Sequence, residues 1–224
     1  MPKHLQREID ALQKKLMSLA AVAEEQVRSA VRSVERRDAA AAARIIEFDR
    51  NVDLLEIEVE EDCLKILALH QPVAIDLRFI VAVLKINSDL ERISDLASNI
   101  ADRAIMLSER PEFTFDSRLT LMCEKAMYML RLCLDSLFKM DASGARTVCE
   151  ADDEVDRINR EMVDIVKKAI RGNVDCTGEY LLVLSVTRNL ERIADHATNI
   201  AEDVIYMIEG DIVRHREERM KNVK

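Results

Sequence analysis

Fourteen residues recur 100 positions apart: DLERISDLASNIAD, Asp89 to Asp102, lies over NLERIADHATNIAE, Asn189 to Glu202, with nine of the 14 positions identical. Three of the other five are the close exchanges Asp/Asn, Ser/Thr and Asp/Glu. Upstream, Asp49, Val52 and Asp53 match Asp152, Val155 and Asp156 at an offset of 103. A chain with two such matches in the same order is a duplicated one, so its fold must be a single structural unit made twice.

The unit is helical. Only 4 Gly, 3 Pro and 4% aromatic residues occur among 224, a composition of long helices rather than sheets. Leu5, Ile9, Leu12, Leu16, Leu19, Ala23, Val27, Ala30 and Val34 step by three or four, the spacing of one helix facing a core. Asp38 suits the cap of a second helix from Ala39 to Leu69, which His70, Gln71 and Pro72 end. A third helix is predicted from about Val73 to Leu107. Beyond Arg110 to Asp116 the rhythm returns: Leu119 to Leu137 marks helix four, Asp141 to about Arg171 helix five, and Glu179 to Ile208 helix six. Gly172, Asn173 and Gly178 form the break before helix six, and Gly210 stops it ahead of a charged tail expected to fray. The expected architecture is all-α, two tandem three-helix bundles of long helices, with domains at residues 1–110 and 111–224.

A net charge of −9 argues against nonspecific attraction to nucleic acid or anionic lipid and favours cations and basic partner surfaces. The tail's Arg214, Arg216 and Arg219 are diluted by Glu217 and Glu218. Five cysteines without C-x-x-C, and an opening MPKHLQREID with no apolar signal segment, point to a reducing, cytoplasmic setting. No stretch is long and uncharged enough to insert in a membrane, so any membrane contact is expected through a partner at the inner face.

The duplicated helix carries an acidic stripe. Glu91, Asp95, Asn99 and Asp102, separated by four, four and three residues, fall within roughly 80° of one another, and Glu191, Asp195, Asn199 and Glu202 repeat the pattern. Acids at i and i+4 repel by a few tenths of a kcal/mol. Arg92 and Arg192 lie about 100° around the helix, poorly placed to neutralise the stripe. If helix two returns antiparallel to helix three through Gln71, Asp49 and Asp53 come beside Glu91 and Asp95. The same folding about Val174 brings Asp152 and Asp156 beside Glu191 and Asp195.

Such a set of carboxylate and amide oxygens, nearly without His or Cys, suits a hard divalent ion such as magnesium, manganese, calcium or iron rather than a closed structural zinc site. A single D-x-x-x-D pair is most often a solvated face. Two copies, each opposite a second acid pair, make a cation site the sharper expectation. Bundle di-iron enzymes place E-x-x-H on two helices, whereas here His196 directly follows Asp195 and its counterpart is Leu96. Neither a nucleotide-cradling glycine loop nor a nucleophile constellation is found around His4, His70, His196 and His215, so an enzyme is not expected. His196 is expected as a polar neighbour of the acids rather than a ligand. Most cysteines, and methionines such as Met122, Met127, Met129 and Met140, read as packing residues.

PVAIDLRFIVAVLKINSDLERISDLASNIAD and YLLVLSVTRNLERIADHATNIAE resemble the two signature helices of the PhoU family, accessory proteins of bacterial phosphate-specific transport. The resemblance spans nearly the whole chain. It implies pseudo-symmetric bundles with multinuclear clusters of iron, zinc or other divalent metal on Glu91 and Asp95, Asp49 and Asp53, Glu191 and Asp195, and Asp152 and Asp156. Leu96 stands where a His often follows the first Asp, which implies a weaker or altered N-terminal site. The resemblance also implies a negative regulator of phosphate uptake and phosphate-starvation signalling that docks on the phosphate ABC transporter's ATPase subunit and on a sensor histidine kinase. A homodimer is expected of such elongated bundles. A carboxylate-bridged metal hydrolase or oxidase, and a metal-free helical scaffold, remain the alternatives.

Overall fold

The structure, a computed structural model, describes residues 3–111 and 116–210. The tail with Arg214, His215, Arg216 and Arg219, and the middle of the segment joining the two halves, lie outside the described residues. Six long helices follow in order: α1 Lys3–Arg36, α2 Ala39–His70, α3 Ile75–Ser108, α4 Ser117–Lys139, α5 Ala142–Gly172 and α6 Thr177–Glu209. One 3-10 turn, Val174–Cys176, precedes α6. Among the described residues there is no strand, and no helix is long and apolar enough to cross a membrane.

Two helix starts differ from expectation. α3 begins at Ile75 rather than Val73 because Gln71 (φ 44°) and Ala74 (φ 51°) both take left-handed backbone around Pro72. α6 begins at Thr177 because the 3-10 turn hands directly into it, with the Thr177 hydroxyl donating to the Val174 carbonyl at 2.6 Å. Gly178 therefore lies inside α6 and does not break it.

The turns α1–α2 and α4–α5 are the same device used twice. Arg37 (φ 53°) and Met140 (φ 52°) adopt left-handed backbone, and the next amides, Asp38 and Asp141, donate back to Ser33 and Ser136 at 3.0 and 2.9 Å. Each Asp then turns forward, its carboxylate accepting from Ala41 N in one half and from Ser143 N and Gly144 N in the other. Such a C-terminal hook followed by an N-cap satisfies orphan carbonyls and amides within a turn of two residues. The offset of 103 thus extends back through α1 and α4. Leu16, Leu19, Ala23, Val27, Ala30 and Val34 are buried, as are Leu119, Met122, Ala126, Leu130, Cys133 and Leu137 103 positions on. Fully burying each of the larger side chains stabilises the fold by about 1.5–3 kcal/mol.

Within each half the second and third helices pack along their length and the first covers them, α1 on α2 and α3, α4 on α5 and α6. Between halves α3 lies on α6, an interface as extensive as any within a bundle, and α1 touches α4. The buried side chains form one continuous core. α3 and α6 run antiparallel. Lys85, early in α3, reaches Asp203, late in α6, at 3.2 Å, while Arg103, late in α3, donates from Nε to the hydroxyl of Ser185, early in α6, at 3.1 Å. These two contacts interchange under the offset of 100, so the helices are related by a pseudo-twofold axis. Near that axis His196 Nδ1 lies 2.8 Å from Asp89 Oδ1, both largely buried. The equivalent places on the other side of the axis hold Leu96 and Asn189, both buried. Arg37 also fastens α1 to the end of α3, its guanidinium donating to the carbonyls of Leu107, Arg110 and Pro111.

Candidate functional site

The antiparallel pairing of α2 with α3 and of α5 with α6 brings the acid pairs together as the helix register requires. In the first half Asp49 and Glu91 both have raised carboxyl pKa values. Burial is the main cause for each; Asp95 and Asp53 add negative field at Asp49, and Asp95, Asp53 and Glu56 do so at Glu91. In the second half burial, then Asp195, Asp156, Asp153 and Glu191, push Asp152 up to about 6. Glu191 is raised by burial, Asp195 and Asp156, and Asp195 by burial and Asp156. A raised carboxyl pKa marks negative charge that its surroundings leave uncompensated.

The expectation that Arg92 is poorly placed to neutralise its stripe is overturned. Its Nη1 lies 3.2 Å from Asp95 Oδ2 and its Nε 3.4 Å from Glu91 Oε2, because a long guanidinium stem sweeps sideways over a neighbouring row of the helix. Arg192 acts on Glu191 and Asp195 through its field but makes no ion pair among the described residues. Arg160, on α5, lies 3.5 Å from Asp156.

Asp102 pairs with Arg103 at 2.7 Å, Asn99 is exposed, and Asn199 is half-buried. Glu202 lies near Cys149, whose thiol burial pushes up to about 11. His196 is turned to Asp89 on α3 rather than to the opposed acid pairs, although its field also draws Asp195 down.

Several contributors carried no signal in the acid spacing. Glu56 joins the first cluster, its pKa raised by burial, Glu60 and Asp53, while the Asn87 amide donates to its carbonyl and carboxylate at 2.9 and 3.1 Å. Ser94 and Ser98 face Asp49 and draw it back down, although neither hydroxyl makes a hydrogen bond of good geometry and both are buried without another partner. In the second half the same places hold Ala194 and Thr198, and the Thr198 hydroxyl is turned back to the Ala194 carbonyl. Asp153 adds an acid where the first half has Arg50.

Chemically, the clusters are sets of hard oxygen donors with excess negative charge. As the side chains are placed, no three His, Cys, Asp or Glu among the described residues stand close enough to enclose one ion. Sulfur and imidazole, which zinc favours, play little part: Cys63, Cys123 and Cys133 are buried, and the His196 ring is engaged elsewhere.

Six long helices forming two bundles across a pseudo-twofold axis, each with opposed acid pairs on its second and third helices, define a duplicated, acid-striped helical protein. The PhoU domain model matches residues 16–104 and 119–204, one copy per bundle, and the chain belongs to the PhoU family. It is 35% identical over 213 residues to the phosphate-specific transport system accessory protein PhoU homolog of Pseudomonas putida, covering 93% of this chain and 82% of that one. It is also 35% identical to the homolog of the same description from Aquifex aeolicus, covering 94% and 95% of the two chains. The crystal structure of PhoU from Pseudomonas aeruginosa superposes with a TM-score of 0.90 at 33% identity, covering 92% of this chain and 99% of that one. The phosphate transport system regulatory protein PhoU from Streptococcus pneumoniae shares the fold, with a TM-score of 0.87 at 24% identity.

Proposed function

We propose that this chain is the regulatory accessory protein of a phosphate-specific transport system, a negative regulator that works by docking on the transporter's ATPase subunit and a sensor histidine kinase rather than by catalysis. The names carried by its relatives support the system, and the crowding of carboxylates across α5 and α6, with Asp152 pushed up to about 6, supports a cation-dependent surface. Asp152, Asp156, Glu191 and Asp195 would hold the ion in the second half, and Asp49, Asp53, Glu91 and Asp95 in the first. A bound divalent cation would supply positive charge between helices whose acids otherwise repel. The residues themselves act as opposed anions that set how closely α2 approaches α3 and α5 approaches α6, and so the shape of the outer faces offered to a partner.

Alanine at Asp95 and Asp195 together is expected to strip divalent metal from the purified protein, read by elemental analysis. Unchanged metal content would refute the assignment. A second reading, a metal-free scaffold, draws support from the Arg92 ion pairs with Glu91 and Asp95. Equilibrium dialysis separates the two: retention of manganese favours the cation sites, and no retention favours the scaffold.

A further inference from the structure

The groove between α1 and α2 holds a cavity of about 330 Å³ lined by Val22, Glu25, Gln26, Ser29, Ala41, Arg44, Ile45 and Phe48. It lies within the size range of small-molecule sites, and its walls are mostly apolar with a few polar groups, the usual make-up of such sites. The lining spans two turns of each helix, about 11 Å of axis, the length of one small molecule rather than of a docked helix.

Its polar groups are unevenly satisfied. The Glu25 carboxylate is engaged by Arg28 at 3.3 Å and by the Ser29 hydroxyl at 2.9 Å. Gln26 is only 6% exposed, and its side-chain Nε2 is buried without a hydrogen-bond partner. Arg44, on the facing helix, is exposed and has no ion pair or hydrogen bond among the described residues. A buried amide donor without an acceptor is costly and rare in a folded chain.

The second bundle provides an internal control. At the offset of 103, Gln26 corresponds to Met129 and Arg44 to Thr147. Met129 is fully buried, and the Thr147 hydroxyl is spent on the Ser143 carbonyl of its own helix. The bundle therefore closes with an apolar side chain at this place. The buried amide donor and the unpaired guanidinium occur together in the first half alone, on two residues that line the same cavity.

We infer that the α1–α2 groove of the first bundle is a binding site for a small amphipathic carboxylate, its apolar body on Val22, Ile45 and Phe48 and its carboxylate between the Gln26 amide and the Arg44 guanidinium. The apolar lining selects the body, and the exposed guanidinium with the unpartnered amide selects an anionic acceptor, since an anion bound by a guanidinium and an N–H gains charge-assisted hydrogen bonds. This site is separate from the acid clusters and does not depend on the cation reading.

The test titrates octanoate into the full chain while methyl resonances of Val22 and Ile45 are followed, with octanol as the uncharged control. Saturable shifts at those methyls, with a dissociation constant on the order of 1 mM or below, are expected, with octanol binding about tenfold more weakly. Arg44→Thr, an exposed change, should leave the melting temperature in place and weaken octanoate about tenfold. Gln26→Met, which installs the second bundle's residue, should fold at least as well and weaken binding likewise. The absence of saturable shifts at millimolar octanoate would overturn the proposal. So would equal binding of octanol and octanoate, the mark of an undiscriminating apolar seat for a protein side chain, or an Arg44→Thr variant that binds as before.

Discussion

The two acid clusters sit on matching helices in matching register, yet their surroundings differ. In the first half Arg92 pairs with Glu91 and Asp95, Arg50 stands between Asp49 and Asp53 in sequence, and Ser94 and Ser98 face Asp49. In the second half Asp153 stands in place of Arg50, Ala194 and Thr198 in place of the serines, and Asp152 is pushed up to about 6. The acids have been kept in number while the groups that relieve them differ, the second half having Arg160 beside Asp156 and the fields of Arg188 and Arg192. Backbone duplication thus sets where charge gathers, and a few flanking side chains set how far it is compensated. Under the proposed cation reading, the second half would draw in an ion more strongly than the first.

The largest expected effect tests the asymmetry at the axis, where Asp89 meets His196 on one side and Asn189 and Leu96 occupy the equivalent places. His196→Leu alone leaves the Asp89 carboxylate buried without its partner and should cost about 2 kcal/mol in urea unfolding. Adding Asp89→Asn, which reproduces the Asn and Leu of the other side, should recover most of that loss. A double variant as unstable as the single would break the equivalence.

Next in size is Asp152→Asn, compared with Asp49→Asn, in chelator-treated buffer. A carboxyl whose folded pKa lies above its unfolded value opposes folding when ionised. The penalty is absent below about 3.8, grows as pH rises toward 6, and is complete above that. Because Asp152 remains partly open to solvent, screening reduces the effect to about 1 kcal/mol. Asp152→Asn should therefore stabilise the chain by that amount at pH 7 and by nothing at pH 3. Asp49→Asn should gain less, and an equal gain from both would erase the contrast between the halves. The smallest effect belongs to Asp153→Arg, which gives the second half the first half's residue. It should stabilise by about 0.5 kcal/mol at low salt and lose that advantage in 1 M sodium chloride; persistence there would show that charge is not its origin.

Much of this was legible beforehand. The apolar stripe of α1, the capping Asp38 and Asp141, and Pro72 mark helices and breaks because those signals are local. The meeting of Asp49 with Asp95 and of Asp152 with Asp195 follows from counting residues out from a tight turn. Other features depend on what no local rule reports. Arg92 departs from its sequence position because a helical wheel places only the start of a side chain, and a guanidinium works at the far end of a flexible stem. Asn99, Asp102, Asn199 and Glu202 continue the stripe past the acids: Glu91 to Asp102 covers about 16 Å of helix, more than one opposing pair can face at once, and Asp102 is taken by Arg103. The packing of α3 on α6 has no sequence signature, since an apolar residue does not say which neighbour it will meet.

The antiparallel seat of α3 on α6 is the geometry of an isologous dimer whose two subunits are joined in one polypeptide. When a single gene encodes both partners of a symmetric pair, every substitution appears on both sides at once, so an acid–imidazole contact cannot stand opposite an amide and a leucine. Covalent fusion lifts that constraint: each copy can be altered alone, and one body can present two unlike faces at symmetric positions, a freedom that subunits encoded by a single gene do not have.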